Sequence, residues 1–121
     1  FINLQSSDFT VDLAAIHKEF GVTVYNFDDL DHYDNLDDVT ALSAALDIVV
    51  SVATAAPTIT AGVGTPTKLV TWRQSSWNNI LFNPVGPSVD VFERNTWEPW
   101  DSVFRSIADG ILDCRNMKES N

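Results

Sequence analysis

The strongest constraint on the fold is a nearly continuous apolar run at residues 47–52, DIVVSV. Such a run, rich in β-branched residues, is typical of a parallel strand that is covered on both faces. Small residues then lead into a predicted helix over 54–63, with Pro57 near its first turn and Gly64 at its end. A buried strand that passes directly into a helix is the basic unit of a parallel α/β sheet.

The rest of the chain repeats this alternation. Gly21 is placed to end a first helix, and Asn35 to cap a second one that carries Asp37 and Asp38 in its first turn. The other predicted strands are 1–5, 22–26, 67–72 and 88–92, and the other helices are 9–20, 36–46 and a last one that Thr96 caps. We therefore expect an α/β domain over residues 1–112, a Rossmann-like three-layer parallel sheet with helices on both faces.

Apolar spacing also predicts which helix residues are buried. The inward stripes are Phe9, Leu13, Ile16 and Phe20 in the first helix, Leu36, Val39, Leu42 and Leu46 in the second, and Trp100, Val103, Phe104, Ile107 and Ile111 in the last. Residues 73–87 are predicted to be irregular, and residues 113–121 form a polar tail that we expect to fray.

Composition excludes several classes of function. Seven Lys and Arg against seventeen Asp and Glu give a net charge of -10, which argues against nucleic-acid binding. The single Cys114 excludes an internal disulfide and a cysteine-rich zinc site. The apolar run at residues 48–56 is too short and too interrupted by Ser and Thr to span a bilayer, so we expect no membrane partner. No signal peptide is visible, so we expect a cytoplasmic setting. Because the chain opens at Phe1 on an apolar run, it is interpreted as a piece of a longer protein.

Ligands of parallel α/β sheets bind outside the carboxyl ends of the strands. At the end of the 47–52 strand, a helix start with its free N–H groups and dipole predicts an anion site. The candidate residues there are Ser51, Ala53, Thr54, Ala55 and Thr58. The alternative is a capped helix start packed under a loop. Tyr33 and Trp72, at neighbouring strand ends, are candidates for stacking on a base or sugar, and Trp72 could instead pack against another domain.

The acidic loop at residues 27–36 invites a test for a metal site. Counted from Asp29, the sixth position of a calcium-binding EF-hand loop falls on Asp34 and the twelfth on Thr40, where Gly and Glu are needed. His17 and His32 also lack metal spacing. We therefore expect no metal and no cofactor, and a solvated loop that caps a helix.

One ordered combination of segments resembles a known family. Residues 37–52, a small-residue helix and the Gly64-Thr65-Pro66 turn are similar to family 9 glycosyltransferases, the heptosyltransferase family. The nearest likeness is to members attached to tetratricopeptide repeats. Residues 1–5 resemble the strand that precedes this segment in the family, and Trp77 with residues 97–103 resembles the family's tail.

The resemblance implies a GT-B architecture, in which two Rossmann-like domains face each other across a cleft. This chain would be the carboxyl-terminal half, which binds the diphosphate of a nucleotide-sugar donor at residues 51–58. The acceptor site and general base would lie in an amino-terminal domain that this chain lacks. We therefore assign no catalytic residue to this chain.

Two residues depart from the family pattern. Ala53 stands where the family usually has Asp, and Thr58 where it usually has His. The expected function is the donor side of a bacterial glycosyltransferase-like protein that transfers sugar to a hydroxyl acceptor, with the isolated chain inactive. The alternative is a non-catalytic α/β interaction module attached to a repeat protein, whose partners are the missing domain or repeats.

Overall fold

The computed structural model divides the chain into two units, Phe1–Leu42 and Ser43–Asn121. It describes residues 1–73 and 87–120. Most of the predicted irregular segment at 73–87, including Trp77, therefore lies outside the described residues. Among the helices that are described, none is both long and apolar enough to cross a membrane.

The first unit contains a single parallel bridge where the sequence predicts two strands. Ile2 pairs with Tyr25, and the backbone bonds are Asn3 N to Tyr25 O at 2.8 Å and Tyr25 N to Phe1 O at 2.9 Å. The parallel pairing agrees with the prediction, but residues 1–5 and 22–26 are not extended strands. A pair of short strands has little stability of its own, because each strand gains hydrogen bonds on one side only.

Helix α1, Thr10–Phe20, follows the predicted boundaries closely. Asp8 Oδ1 accepts a bond from Thr10 N at 3.1 Å, and Gly21 ends the helix at φ 65° with its N–H on His17 O at 2.9 Å. The predicted buried stripe is wrong, because α1 has no buried residue and Phe20 is 67% exposed. Periodicity identified the apolar face of the helix, but it cannot say what covers that face.

Helix α2, Leu36–Ala45, begins with the predicted cap. Asn35 Oδ1 accepts a bond from Asp38 N at 3.2 Å, and Asn35 Nδ2 donates to Asp38 Oδ2 at 2.6 Å. Asn35 thus caps the first turn of α2, and its side-chain amide also donates to the carboxylate of Asp38. Of the predicted stripe, Val39 is buried and Leu36 is 56% exposed.

Asn35→Ala is expected to lower the free energy of unfolding by about 0.5–2 kcal/mol, because it leaves the first turn of α2 uncapped. Urea unfolding followed by far-UV circular dichroism measures the change. Asn35→Gly is the matched control and should cost only a few tenths of a kcal/mol. Equal losses for Ala and Gly would contradict a capping role.

The second unit is built on a three-stranded parallel sheet. Its strands are β1, Val49–Val52, β2, Thr67–Trp72, and β3, Val89–Arg94, in the order β1-β2-β3. β2 has the predicted bounds, and β3 extends two residues past the predicted 88–92. The α/β class and the parallel sheet are confirmed for the described residues of this unit.

Two helices cover opposite faces of this sheet. Helix α3, Ala55–Gly62, lies on the face of Thr67, since Thr67 Oγ1 donates to Thr60 Oγ1 at 2.7 Å. Helix α4, Asp101–Glu119, lies on the other face, where Val103 and Ile107 pack with Val70. Because successive strand residues alternate in direction, odd-numbered β2 residues face α3 and even-numbered ones face α4. The described part of this unit is therefore three-layered.

Strand β1 is covered less than the sequence predicts. Val49 is buried, but Val50 is 44% exposed and Val52 is 58% exposed. By register, these two residues share the α4 face with Lys68 and Val70. The prediction of cover on both faces, made for residues 47–52, is thus wrong; the strand that is covered in this way is β2, where five consecutive residues are buried.

Helix α4 starts later and ends later than predicted. Thr96 does not cap it, because the N-cap is Trp100 and no side chain makes a capping bond there. Pro99 explains the shift, since a proline disfavours helical backbone in the residue before it. Phe104 of the predicted stripe is 51% exposed, and the polar residues after Asp113 remain helical through Glu119 rather than fraying.

Candidate functional site

The site predicted from the sequence lies where β1 passes into α3. Thr54 is the N-cap residue, in extended conformation, and its side chain makes no capping bond. Ser51 Oγ and Thr54 Oγ1 both donate to Val52 O, at 3.0 and 3.4 Å, and lie 3.5 Å apart. The first N–H groups of a helix have no partner within the helix. The N–H groups of Ala55 and Ala56, the first two residues of α3, thus donate to no capping side chain.

The small residues of this connection leave its backbone accessible. Ala53 and Ser51 are half-buried, whereas Thr54, Ala55 and Thr58 are exposed. Pro57, at the third position of α3, is buried, so the first turn of this helix packs against the rest of the second unit. The structure therefore brings the five predicted residues together at one sheet edge, and a negatively charged group can approach the helix start there.

The two predicted aromatic residues are both exposed, Tyr33 by 80% and Trp72 by 53%. Trp72 is the last residue of β2, so it stands at the carboxyl edge of the same sheet as Ser51. Tyr33 belongs to the first unit, and its predicted place beside the helix start stays a prediction.

Three residues at this edge were missed by sequence reasoning. Arg73 follows β2, and Arg94 and Asn95 are at the end of β3. Arg73 N donates to Arg94 O at 3.0 Å, and Arg73 Nη1 donates to Asn95 Oδ1 at 3.1 Å. The available signal was an arginine close behind each of two predicted strands, directly after 67–72 and two residues after 88–92, in a chain with seven Lys and Arg in total.

The side chain of Arg94 makes contacts within the second unit. Its guanidinium lies 4.5 Å from the centre of the Trp100 ring, and Nη1 donates to Glu98 O at 3.3 Å. These contacts tie the end of β3 to the start of α4. Arg94 therefore has a structural role that Arg73 does not share.

A cavity of about 190 Å³ lies between β3 and α4. Its lining residues are Phe92, Glu93, Glu98, Ser102, Val103 and Ser106. Two carboxylates make this cavity unsuitable for a phosphate group, because like charges repel. It does not support the predicted ligand.

The acidic loop of the first unit is organised by its own backbone. Asp31 Oδ1 accepts bonds from Asp34 N at 2.9 Å and Tyr33 N at 2.8 Å. These two backbone bonds, that from Asp34 first, lower the pKa of Asp31 below its ordinary value. Among the described residues, no three His, Cys, Asp or Glu side chains are placed so that they could hold a metal ion together.

A comparison with curated proteins identifies a similar sequence. Protein FlbA of Caulobacter vibrioides is 32% identical over 115 residues, which cover 93% of this chain and 19% of FlbA. The chain thus spans about a fifth of the length of this relative. No family model matches the chain, and no solved structure matches it.

Proposed function

We propose that this chain is the donor side of a glycosyltransferase-like protein and binds a nucleotide-diphosphate sugar at residues 51–58. The observation that carries the proposal is the uncapped start of α3 directly after β1. Its N–H groups and helix dipole favour a negatively charged group. The parallel sheet supports the same choice, because ligands of such sheets bind at the carboxyl ends of the strands.

The proposal includes a GT-B architecture, in which this chain is the carboxyl-terminal Rossmann-like half. An acceptor hydroxyl and the group that removes its proton would then come from another domain. Ala53 and Thr58 supply no charge to the donor, so the backbone of α3 carries more of the binding than in the family that the sequence resembles. A cytoplasmic setting is part of the same proposal.

Calorimetric titration of the whole protein with UDP, ADP, GDP and CDP tests this proposal, with the parent nucleosides as controls. Ala55→Glu is the decisive variant, because Ala55 is exposed and an acidic residue suits the first turn of a helix. We expect this variant to fold normally and to bind the preferred diphosphate at least about tenfold more weakly, a loss of about 1.4 kcal/mol.

Ala108→Glu, at an exposed position of α4, is the matched control because it adds the same charge elsewhere. It should bind as the wild-type protein does. If the wild-type protein binds no nucleoside diphosphate at millimolar concentration, the donor-binding proposal fails.

The second candidate is a non-catalytic interaction module attached to a repeat protein. Exposed apolar side chains favour it, above all Val52 at 58% and Trp97 at 94%. Apolar surface of this kind is common where proteins bind other proteins. A silent nucleotide titration, together with loss of binding to the rest of the protein on Val52→Ser, would support this second function.

A further inference from the structure

The first unit has almost no apolar core of its own. Residues 1–42 are all described by the structure, and Val39 is the only buried apolar side chain among them. A segment of about 40 residues seldom folds without a further source of stability. The apolar side chains that this unit leaves exposed therefore mark where another element would pack.

The parallel bridge of the first unit presents one such surface. Ile2 and Tyr25 are bridge partners, so their side chains lie on the same face, and they are 37% and 64% exposed. Asn3 lies on the opposite face, where it is 7% exposed and donates from Nδ2 to Asn26 Oδ1 at 3.0 Å. One face of the strand pair is thus covered, and the other is open to solvent.

Phe27 extends the open face. Asn26 Nδ2 donates to Asp28 Oδ1 at 2.8 Å, which places these two side chains on one side of the chain. Phe27 stands between them in sequence, so its side chain lies on the other side, that of Tyr25, and it is 48% exposed. Ile2, Tyr25 and Phe27 together are called the bridge face below.

The kind of strand pairing indicates what would cover the bridge face. Parallel strands occur almost only where both faces of the sheet are covered, and the covering elements are helices. The expected occupant is therefore a helix that carries an apolar stripe.

The charge of the first unit indicates which helix would fit. Residues 1–42 contain nine Asp and Glu against one Lys, which gives -8 of the chain's net charge of -10. Four of these carboxylates are in the acidic loop that continues directly from Phe27, at Asp28, Asp29, Asp31 and Asp34. A field of this sign attracts cationic partners and repels the phosphates of nucleic acids and anionic lipids.

The described helices of this chain do not have that charge. From their sequences, α1, α2 and α4 each have a net negative charge and α3 has none. A second copy of the chain would also bring like charge against like charge. Charge complementarity therefore favours a helix from a different protein.

We propose that the bridge face binds a basic amphipathic helix of another protein. The apolar stripe of that helix packs on Tyr25 and Phe27, and the Lys and Arg residues beside the stripe face the carboxylates of the acidic loop. The inference does not depend on the proposed donor site, because none of its residues belongs to residues 51–58.

A synthetic amphipathic peptide of Leu and Lys, about 18 residues or roughly five helical turns long, is the probe. The peptide is labelled, the whole chain is titrated into it, and fluorescence anisotropy measures binding. We expect binding in the micromolar range that weakens as salt is added. The same peptide with Glu in place of every Lys should not bind.

Tyr25→Ser is expected to weaken binding of the Lys peptide about tenfold, a loss of about 1.4 kcal/mol, because it removes apolar contact area and no charge. Tyr25→Phe should bind as the wild-type protein does, since it keeps the ring. Val11→Ser is the matched control, because Val11 is an exposed apolar residue of the same unit outside the bridge face. Far-UV circular dichroism checks that each variant retains its helices.

Asp29→Asn combined with Asp34→Asn tests the contribution of charge. This double variant should bind the Lys peptide about threefold more weakly, with a shallower dependence on salt. Asp109→Asn combined with Asp113→Asn is the control, since it removes the same charge from exposed positions of α4. The control should bind nearly as the wild-type protein does.

Wild-type affinity in Tyr25→Ser overturns the inference, and so does equal binding of the Lys and Glu peptides. The inference also fails if the wild-type chain does not bind the Lys peptide. A dimer in sedimentation velocity that Tyr25→Ser dissociates would assign the bridge face to a second copy instead. The donor-binding proposal is tested separately, by the nucleotide titrations and Ala55→Glu.

Discussion

Leu69→Ala is expected to lower the free energy of unfolding by about 2–5 kcal/mol, a large share of the stability of a small domain. Leu69 is fully buried in the central strand, on the face that α3 covers. Removing its side chain forfeits the burial of several methyl and methylene groups and leaves a cavity that neighbouring backbone cannot fill.

Urea unfolding followed by tryptophan fluorescence measures this loss. Val91→Ala is the matched control, because Val91 is the register partner of Leu69 on β3 and is 47% exposed. Val91→Ala should lower the free energy of unfolding by well under half as much as Leu69→Ala does. Equal costs for the two variants would contradict a core centred on β2.

Asp90→Asn is expected to destabilise the fold by about 1–3 kcal/mol, since it leaves a buried ammonium group without its counter-charge. The side chain of Lys68 is 11% exposed and pairs with Asp90, its register partner on β3. The Lys68 ammonium also lies 5.7 Å from the centre of the Phe92 ring. Asp90 itself is 62% exposed, which keeps the expected loss below that of a fully buried pair.

Glu119→Gln provides the comparison for a surface pair, because Arg115 and Glu119 are 71% and 62% exposed. Its cost should be about 0.5 kcal/mol or less. The double variant Lys68→Met with Asp90→Asn should recover part of the loss, since no unpaired charge stays buried. If Asp90→Asn costs no more than Glu119→Gln, the pair does not stabilise the sheet.

Local signals were sufficient for much of the fold. The bounds of β2, the Asn35 cap and the Gly21 helix end depend on residues close together in the sequence, and the structure confirms them. Which side chains are buried could not be predicted from apolar periodicity alone. The apolar face of α1 was identified, yet none of its residues is buried, because cover depends on other parts of the chain.

The candidate site was predictable in the same partial way. Residues 51–58 are consecutive, so the pattern of apolar strand, small residues and helix located them. The contact between Arg73 and Asn95 joins residues 22 positions apart. It depends on the register between β2 and β3, which no spacing in the sequence gives. The early start predicted for α4 was wrong because Pro99 disfavours helical backbone in the residue before it, so that the helix begins after Trp100.

The strands of the sheet do not end level with one another. β1 stops at Val52, opposite Val70, whereas β2 and β3 continue together to Trp72 and Arg94. The carboxyl edge is therefore a step of two residues, about 7 Å high at the usual rise per strand residue. The first turn of α3 lies on the lower level and Arg73 beyond the upper one. A single ligand that contacted both levels would therefore have to extend about 7 Å along the strand direction.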